Sequence, residues 1–470
     1  LPTKEPRQIR SVCDPARPLA PADQATLHED LSEVQGGDRF GRIEQRVRDA
    51  SLDGLGSYVR ELVTGHSGCG KSTELLRLAV ELRKPKQGQA LHVVYLDAYD
   101  YLNPHEARLP QILMALLVAL SEEPRWDLKQ TRTAPVLWDR VRKILDSLGR
   151  EVGKDLAEAT GLPLIRSLFR VDLKLARGFR KASEDHIQEI LGLTRDLITE
   201  VIQQLPPEIN GVAFIVDNLE KLPESETDGG RSFHETLFCR ELPLLDVPAH
   251  LILTYPIALN YTPTGLRQLF TNARQTTIPM IGIRAKPDVS PRGDNLQGIA
   301  ALRRLLARRV ALDLVFADDE AVTEAVRLSG GCVRDLLRTV SELPSYGQQP
   351  YTHALVREVV ADSINEYERL LQGKPYLRLL HAIADTGEVD VATAHSTDAP
   401  DHPERHMHRV PTIVLGPRMV RLAGLPALRL ASCASALATV GPEGQLDLTV
   451  LHTCLRHDSI PSLSPVDLWR

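Results

Sequence analysis

One stretch constrains this chain more than any other. Gly65-His66-Ser67-Gly68-Cys69-Gly70-Lys71-Ser72-Thr73 fits the pattern G-x-x-x-x-G-K-[ST] at every fixed position. An apolar run, Tyr58 to Thr64, precedes it and reads as a buried strand; Glu74 to Leu82 follows with apolar residues at helical spacing. Strand, glycine loop and helix are what binding a phosphate chain demands. Glycines let the backbone turn its N–H groups inward, and the helix N-terminus adds positive potential. Lys71 is placed to neutralise β- and γ-phosphates, and the Ser72 hydroxyl to ligate Mg²⁺.

A second segment answers the first. Gly211-Val212-Ala213-Phe214-Ile215-Val216-Asp217 is an apolar run ending in an acid. A strand apolar on both faces suits the centre of a parallel sheet, and its C-terminal end is where open α/β sheets bind ligands. Asp217 is therefore the candidate second metal-holding group beside Ser72, acting directly or through water. Asn218, Leu219 and Glu220 follow.

Composition narrows the class. At 470 residues the chain has room for two or three domains; 43% hydrophobic and 25% charged residues are ordinary for a globular protein. A net charge of −6 argues against a protein that coats nucleic acid, though not against one local basic module. The six cysteines, at 13, 69, 239, 332, 433 and 454, lie far apart and without metal-ligand spacing, as reduced thiols would. The opening Leu1-Pro2-Thr3-Lys4 carries no basic-then-apolar leader, and its start on a residue other than Met suggests processing or a gene fragment. No apolar run approaches the ~18 residues of a membrane helix. A cytoplasmic location without membrane contact is the expectation.

Residues 1–35 are Pro-rich and polar and read as an extended arm. Residues 36–290 read as an α/β core with parallel strands at 58–64, 90–98, 211–217, 250–254 and 276–283, the last with Pro279 marking an edge. A helical insert spans about 124–207 and includes a locally basic stretch, Arg166, Arg170, Lys174, Arg177, Arg180 and Lys181, readable as an anionic contact or as a solvated helix face. Residues 291–375 read as helical: 296–312, 318–328, 332–343 and 353–371. Residues 376–470 start as the beginning of a winged helix would. They then turn irregular: Lys374 is the last lysine, and prolines recur from 400 to 465. That break fits a mobile extension or a shifted reading frame. His402-x-x-x-His406-x-His408 lies there, readable as a metal site or as a by-product of composition.

With these motifs in view, residues 36–375 resemble the AAA+ and STAND branches of P-loop ATPases, especially bacterial relatives of the origin-recognition type. The resemblance implies a parallel-sheet P-loop NTPase core, a helical lid, and ATP with Mg²⁺ as ligands of the 65–73 loop. It places Asp217 at the Walker B acid. Thr254, ending the strand beside it, takes the sensor-1 role. Arg334, in Ser329-Gly330-Gly331-Cys332-Val333-Arg334, takes the sensor-2 role. An arginine finger offered to a neighbouring subunit would be Arg267 or Arg274. The sequence departs from the family at one place: the water-activating Glu usually follows the Walker B Asp directly, whereas Asn218 stands there and the nearest acid is Glu220. Hydrolysis coupled to conformational change is the first expectation. The rivals are a slowly hydrolysing signalling or defence switch acting through protein partners or self-association, and a DNA-associated ATPase, which the net charge does not favour.

Overall fold

The computed structural model describes residues 2–52, 57–86, 88–105, 107–122, 186–223, 231–261, 273–285 and 293–361. It also describes a few positions between them and the backbone of 226–227, 412–415 and 418–421. The expected basic stretch (Lys181 apart, which is exposed), Arg267, the winged-helix start, and the histidines at 402, 406 and 408 lie outside the described residues. The backbone of 412–415 and 418–421 pairs as an antiparallel ribbon.

Five strands make one parallel sheet: β1 (Arg60–Gly65), β2 (Ala90–Asp97), β3 (Ile209–Asp217), β4 (His250–Thr254) and β5 (Ala273–Ile278), ordered β2-β3-β4-β1-β5. Thr254 pairs with Val63 across β4 and β1, and Leu253 with Val216 across β4 and β3. The chain exits of β1, β4 and β3 therefore lie side by side. Among the described residues β5 pairs only with β1 and is an edge; it stops at Ile278, just before the proline that cannot donate to a ladder.

β3 shows why its sequence is apolar throughout. Ala213 and Ile215 pack on one side with helices α3 (Arg39–Leu52) and α4 (Lys71–Arg83). Phe214 and Val216 pack on the other with α5 (Leu109–Glu122) and α6 (Ile187–Gln203). Alternation along a strand sends successive side chains to opposite faces, so a doubly covered strand has no polar side. α5 is buried continuously from Leu109 to Leu120, which explains the longest apolar run of the sequence. Among the described residues no helix is long and apolar enough to cross a membrane.

Beyond β5, α7 (Leu296–Ala307), α8 (Asp319–Leu328) and α9 (Val333–Tyr346) form a separate helical body around Leu302, Leu306, Val322, Val326, Leu336 and Val340. Side chains of Asn295 and Asp318 cap α7 and α8 by accepting from Gly298 and Ala321 N–H groups.

Residues 2–35, read above as an extended arm, carry two short helices, α1 (Pro6–Val12) and α2 (Pro21–Leu27). Each has its proline at the start of the helix, where the fixed φ suits a first turn and the missing N–H costs nothing. Ile9 and Cys13 are fully buried in the helical body, and Thr3 bridges Val310 there. Composition suggested an arm because the side chains that reach a core, Ile9, Val12, Cys13, Leu31 and Val34, are scattered among prolines and polar residues. The described cysteines, Cys13, Cys69, Cys239 and Cys332, are all free thiols.

Candidate functional site

The loop between β1 and α4 wraps around Lys71. Its side chain is only 6% exposed, and Nζ donates to the carbonyls of Gly65 (2.8 Å) and His66 (3.1 Å). It also meets Glu220 Oε1 at 3.2 Å. Burial alone would lower the lysine's pKa; Glu220, with Cys69 and Asp217 behind it, outweighs that and holds it above its usual range. The pairing acts reciprocally. Burial pushes Glu220 up, but Lys71, then Lys221 and the Thr254 hydroxyl, bring it below the ordinary carboxylate value. His66 is held neutral, near 4, by desolvation and by Lys71. The Cys69 thiol is pushed up by burial.

Asp217, fully buried at the tip of β3, accepts from Tyr95 Oη (2.8 Å) and from the Asn218 N–H (2.8 Å). Burial and the nearby Glu220 raise its pKa, against the Ser72 hydroxyl and Tyr95. Ser72 and Asp217, expected to share a cation, are thus neighbours. Thr254, also fully buried, accepts from the Leu219 N–H (3.0 Å) and donates to Val216 O (3.4 Å), tying β4 to the turn that follows β3. Asn218 takes a left-handed φ of 65° and donates from Nδ2 to Asp97 Oδ2 at 2.5 Å. A short 3₁₀ turn, Leu219–Lys221, then brings Glu220 back to the loop.

The helical body closes on the same loop. Arg334 Nη1 donates to Ser67 Oγ at 2.7 Å, and its backbone N–H to Gly68 O at 3.3 Å. Gly68 permits this approach. With φ at +83°, a Cβ there would lie 2.5 Å from Cys332 Sγ and 2.9 Å from Arg334 Cβ. Gly331, at φ +84°, is equally constrained, since a Cβ would sit 1.9 Å from Ile281 O. The Gly-Gly before α9 is therefore the turn that aims Arg334 at the loop.

The N-terminal segment touches the site from the third side. Leu19 N–H donates to Thr73 Oγ1 (3.1 Å), His28 Nε2 meets Glu74 Oε1 (2.6 Å), and Gln35 Nε2 donates to Cys69 O (3.1 Å) and Pro279 O (3.2 Å). Glu29 accepts from Arg304 of α7 (2.8 Å) and from Arg308 just past its end (2.6 Å).

The fold thus brings together Gly65 to Thr73, Asp217, Asn218, Glu220, Thr254 and Arg334, all singled out in the sequence. It leaves Arg274 apart: that residue is exposed on β5, in register with Glu61, near the far end of the sheet. Sequence reasoning missed Tyr95, Asp97, Gln35 and Lys221. Desolvation lowers Lys221, and it shares the electrostatic neighbourhood of Glu220, Arg334, Asp217 and Lys71. Only the acid-ended apolar strand closing on Tyr95-Leu96-Asp97 carried a signal for two of these.

The donor set fits a magnesium ion held mostly by phosphate and water. Among the described residues no cluster of three or more His, Cys, Asp or Glu could hold a metal alone. Ser72 and Asp217 supply hard oxygens. Glu220 Oε2 and Asn218 Oδ1 are buried acceptors with no hydrogen-bond donor, as ligating waters would satisfy.

Strand, glycine loop and helix, with an acid-tipped strand two places across the sheet and a lid bearing an arginine, make this a P-loop NTPase fold. No protein-family model and no curated protein matches the chain. Among solved structures it is similar to a Walker-type ATPase of Pyrococcus abyssi, at 15% identity over 95% of this chain and 99% of that one, with a TM-score of 0.43. It is also similar to the Aeropyrum pernix ORC2 protein in ADPNP–ADP complexes (12%; 76% and 77%; 0.37). A third is Drosophila ORC bound to DNA (14%; 82% and 76%; 0.40).

Proposed function

We propose that the chain binds ATP with Mg²⁺ and hydrolyses it, using nucleotide state to set how its lid sits on its sheet. The observation that carries this is convergence: a lysine, a metal-type hydroxyl–acid pair, a buried glutamate and a lid arginine all meet one glycine loop. The backbone N–H groups of 68–73 and Lys71 would hold the phosphate chain, and Ser72 with Asp217 the metal, which supplies charge neutralisation on the β/γ oxygens. Glu220 is the general base and Thr254 its positioning partner.

The ion pair between Lys71 and Glu220 gives this reading a built-in order. While Lys71 faces Glu220, the carboxylate is held charged and weakly basic. Phosphate oxygens that draw Lys71 away would free Glu220 to face the attacking water. Arg334, already on Ser67, is placed to exchange that hydroxyl for a phosphate oxygen and so report nucleotide to the lid.

The second reading is a slow switch acting through partners or self-association; what favours it is the Glu220 engagement just described, which restrains turnover. DNA-dependent activity is a third, resting on the basic side chains that the sequence gathers at 166–181. Steady-state hydrolysis of ATP and GTP, with and without DNA, on protein sized by light scattering, tests all three. Magnesium-dependent turnover supports the first, tight binding with turnover slower than about one per minute the second, and salt-sensitive stimulation by DNA the third. No nucleotide binding would overturn them together.

A further inference from the structure

The exit of β3 is gripped by one neighbour at three points. Tyr95 Oη donates to Asp217 Oδ2 (2.8 Å), Asp97 Oδ2 accepts from Asn218 Nδ2 (2.5 Å), and Tyr99 Oη donates to Lys221 O (2.6 Å). We infer that Tyr95, Asp97 and Tyr99 form a brace that fixes the left-handed turn at Asn218 and thereby delivers Glu220 to Lys71. They are positioning residues for hydrolysis, and the inference rests on the reading of Glu220 as base.

The geometry requires some such device. An extended chain would carry residue 220 about 10 Å past Asp217, at ~3.3 Å per residue, and away from the loop. The chain instead reverses at Asn218, the only described non-glycine residue with positive φ. L-residues avoid that region, asparagine least, and hold it only where surroundings over-determine it. The surroundings here are specific. Asp97 and Asp217 are in-register partners at the ends of adjacent parallel strands. Tyr95 and Asp97, two apart, rise from the same face of β2. Asp97 is itself fixed, because its Oδ1 accepts from the Tyr99 N–H at 2.9 Å. Once the turn is set, Leu219 N–H reaches Thr254 and Lys221 N–H reaches Asn218 O (3.1 Å), closing the 3₁₀ turn that carries Glu220. The brace thus resolves the one departure from the family pattern: a glutamate three residues beyond the acid reaches the lysine because the strand next door bends the chain back.

Variants of the full chain separate positioning from simple structural support. Asp97→Ala should lower kcat roughly tenfold, the scale of freeing a disfavoured turn, with ATP affinity within about twofold of wild type. Asp97→Asn keeps one acceptor oxygen for Asn218 but turns its NH2 towards the Tyr99 N–H, and should recover only part of that loss. Asn218→Gly, free to take positive φ, should retain more activity than Asn218→Ala. Tyr99→Phe should fall between, and melting curves check that each variant folds. The brace is overturned if Asp97→Ala turns over ATP at the wild-type rate, if Asn218→Ala outperforms Asn218→Gly, or if ATP affinity falls in step with kcat throughout. Wild-type protein that binds ATP without turnover would instead overturn the assignment of Glu220, and the brace with it; normal wild-type turnover with the wrong variant pattern overturns the brace alone.

Discussion

The glycine loop and the exit of β3 do complementary work a few ångströms apart, yet they are held in opposite ways. The loop is held by its own backbone: Lys71 bonds carbonyls five and six residues earlier, and glycines supply the turns. The β3 exit is held by side chains from elsewhere: Tyr95, Asp97 and Tyr99 from β2 and its following turn, and Thr254 from β4. A locally determined element tolerates change around it and fails when its own residues change. A remotely determined one fails from a distance.

Four experiments press on that contrast. The largest effect is expected at the remotely held acid. Glu220→Gln should slow hydrolysis on the order of 10²–10⁴-fold while leaving ATP affinity unchanged, as loss of a general base does. Normal single-turnover rates in this variant would move the base elsewhere.

Lys71→Ala should weaken ATP binding by roughly 10–100-fold, the worth of a charge-assisted contact, and should also lower the melting temperature, because it leaves the buried Glu220 carboxylate unpaired. Titration calorimetry showing wild-type affinity would sink the phosphate assignment of the loop.

Next comes the place where the lid reads the loop. Gly68→Ala places a methyl group against Cys332 and Arg334 in a left-handed backbone, which should cost about 1–2 kcal/mol. Arg334→Ala should remove ATP-dependent protection of the lid from protease with folding intact. Equal protection in both variants and wild type would separate lid from nucleotide and leave the loop acting alone.

The smallest effect belongs to a control at the opposite end of the sheet. His250 Nδ1 accepts from the Val59 N–H (3.0 Å), and burial, with Arg60 beside it, lowers its pKa from 6.5 to about 4. The unfolded chain then binds a proton that the fold refuses between those values. Its contribution is present above pH 6.5 and is lost as pH falls towards 4. His250→Gln should flatten that part of the stability–pH curve without changing ATP affinity at neutral pH. An unchanged slope would mean the histidine is not held neutral.

The same contrast explains what could be read in advance. The 65–73 loop and Asp217 at its strand end were legible because each is a short pattern whose conformation its own residues dictate, whereas Thr254 and Arg334 were singled out only by the resemblance to P-loop ATPases. The parallel sheet followed from apolar runs that must be covered on both faces. Glu220 was visible only as an anomaly, because its position depends on a turn stabilised by a carboxylate more than a hundred residues earlier. The N-terminal segment was misread for a similar reason: Ile9, Cys13, His28 and Gln35 have no local periodicity, and their partners lie in the lid, α4 and the loop. Where β5 stops was blurred by treating Pro279 as part of the strand rather than its end.

The N-terminal segment sets a mechanical condition on the lid. Consecutive residues, His28 and Glu29, are fastened to different bodies, the first to α4 of the core and the second to α7 of the lid. Moving the helical body away from α4 would have to break one of these bonds, because a single peptide unit is all the slack between them. The two residues thus act as a short strap across the seam, and its length limits how far the two bodies can part.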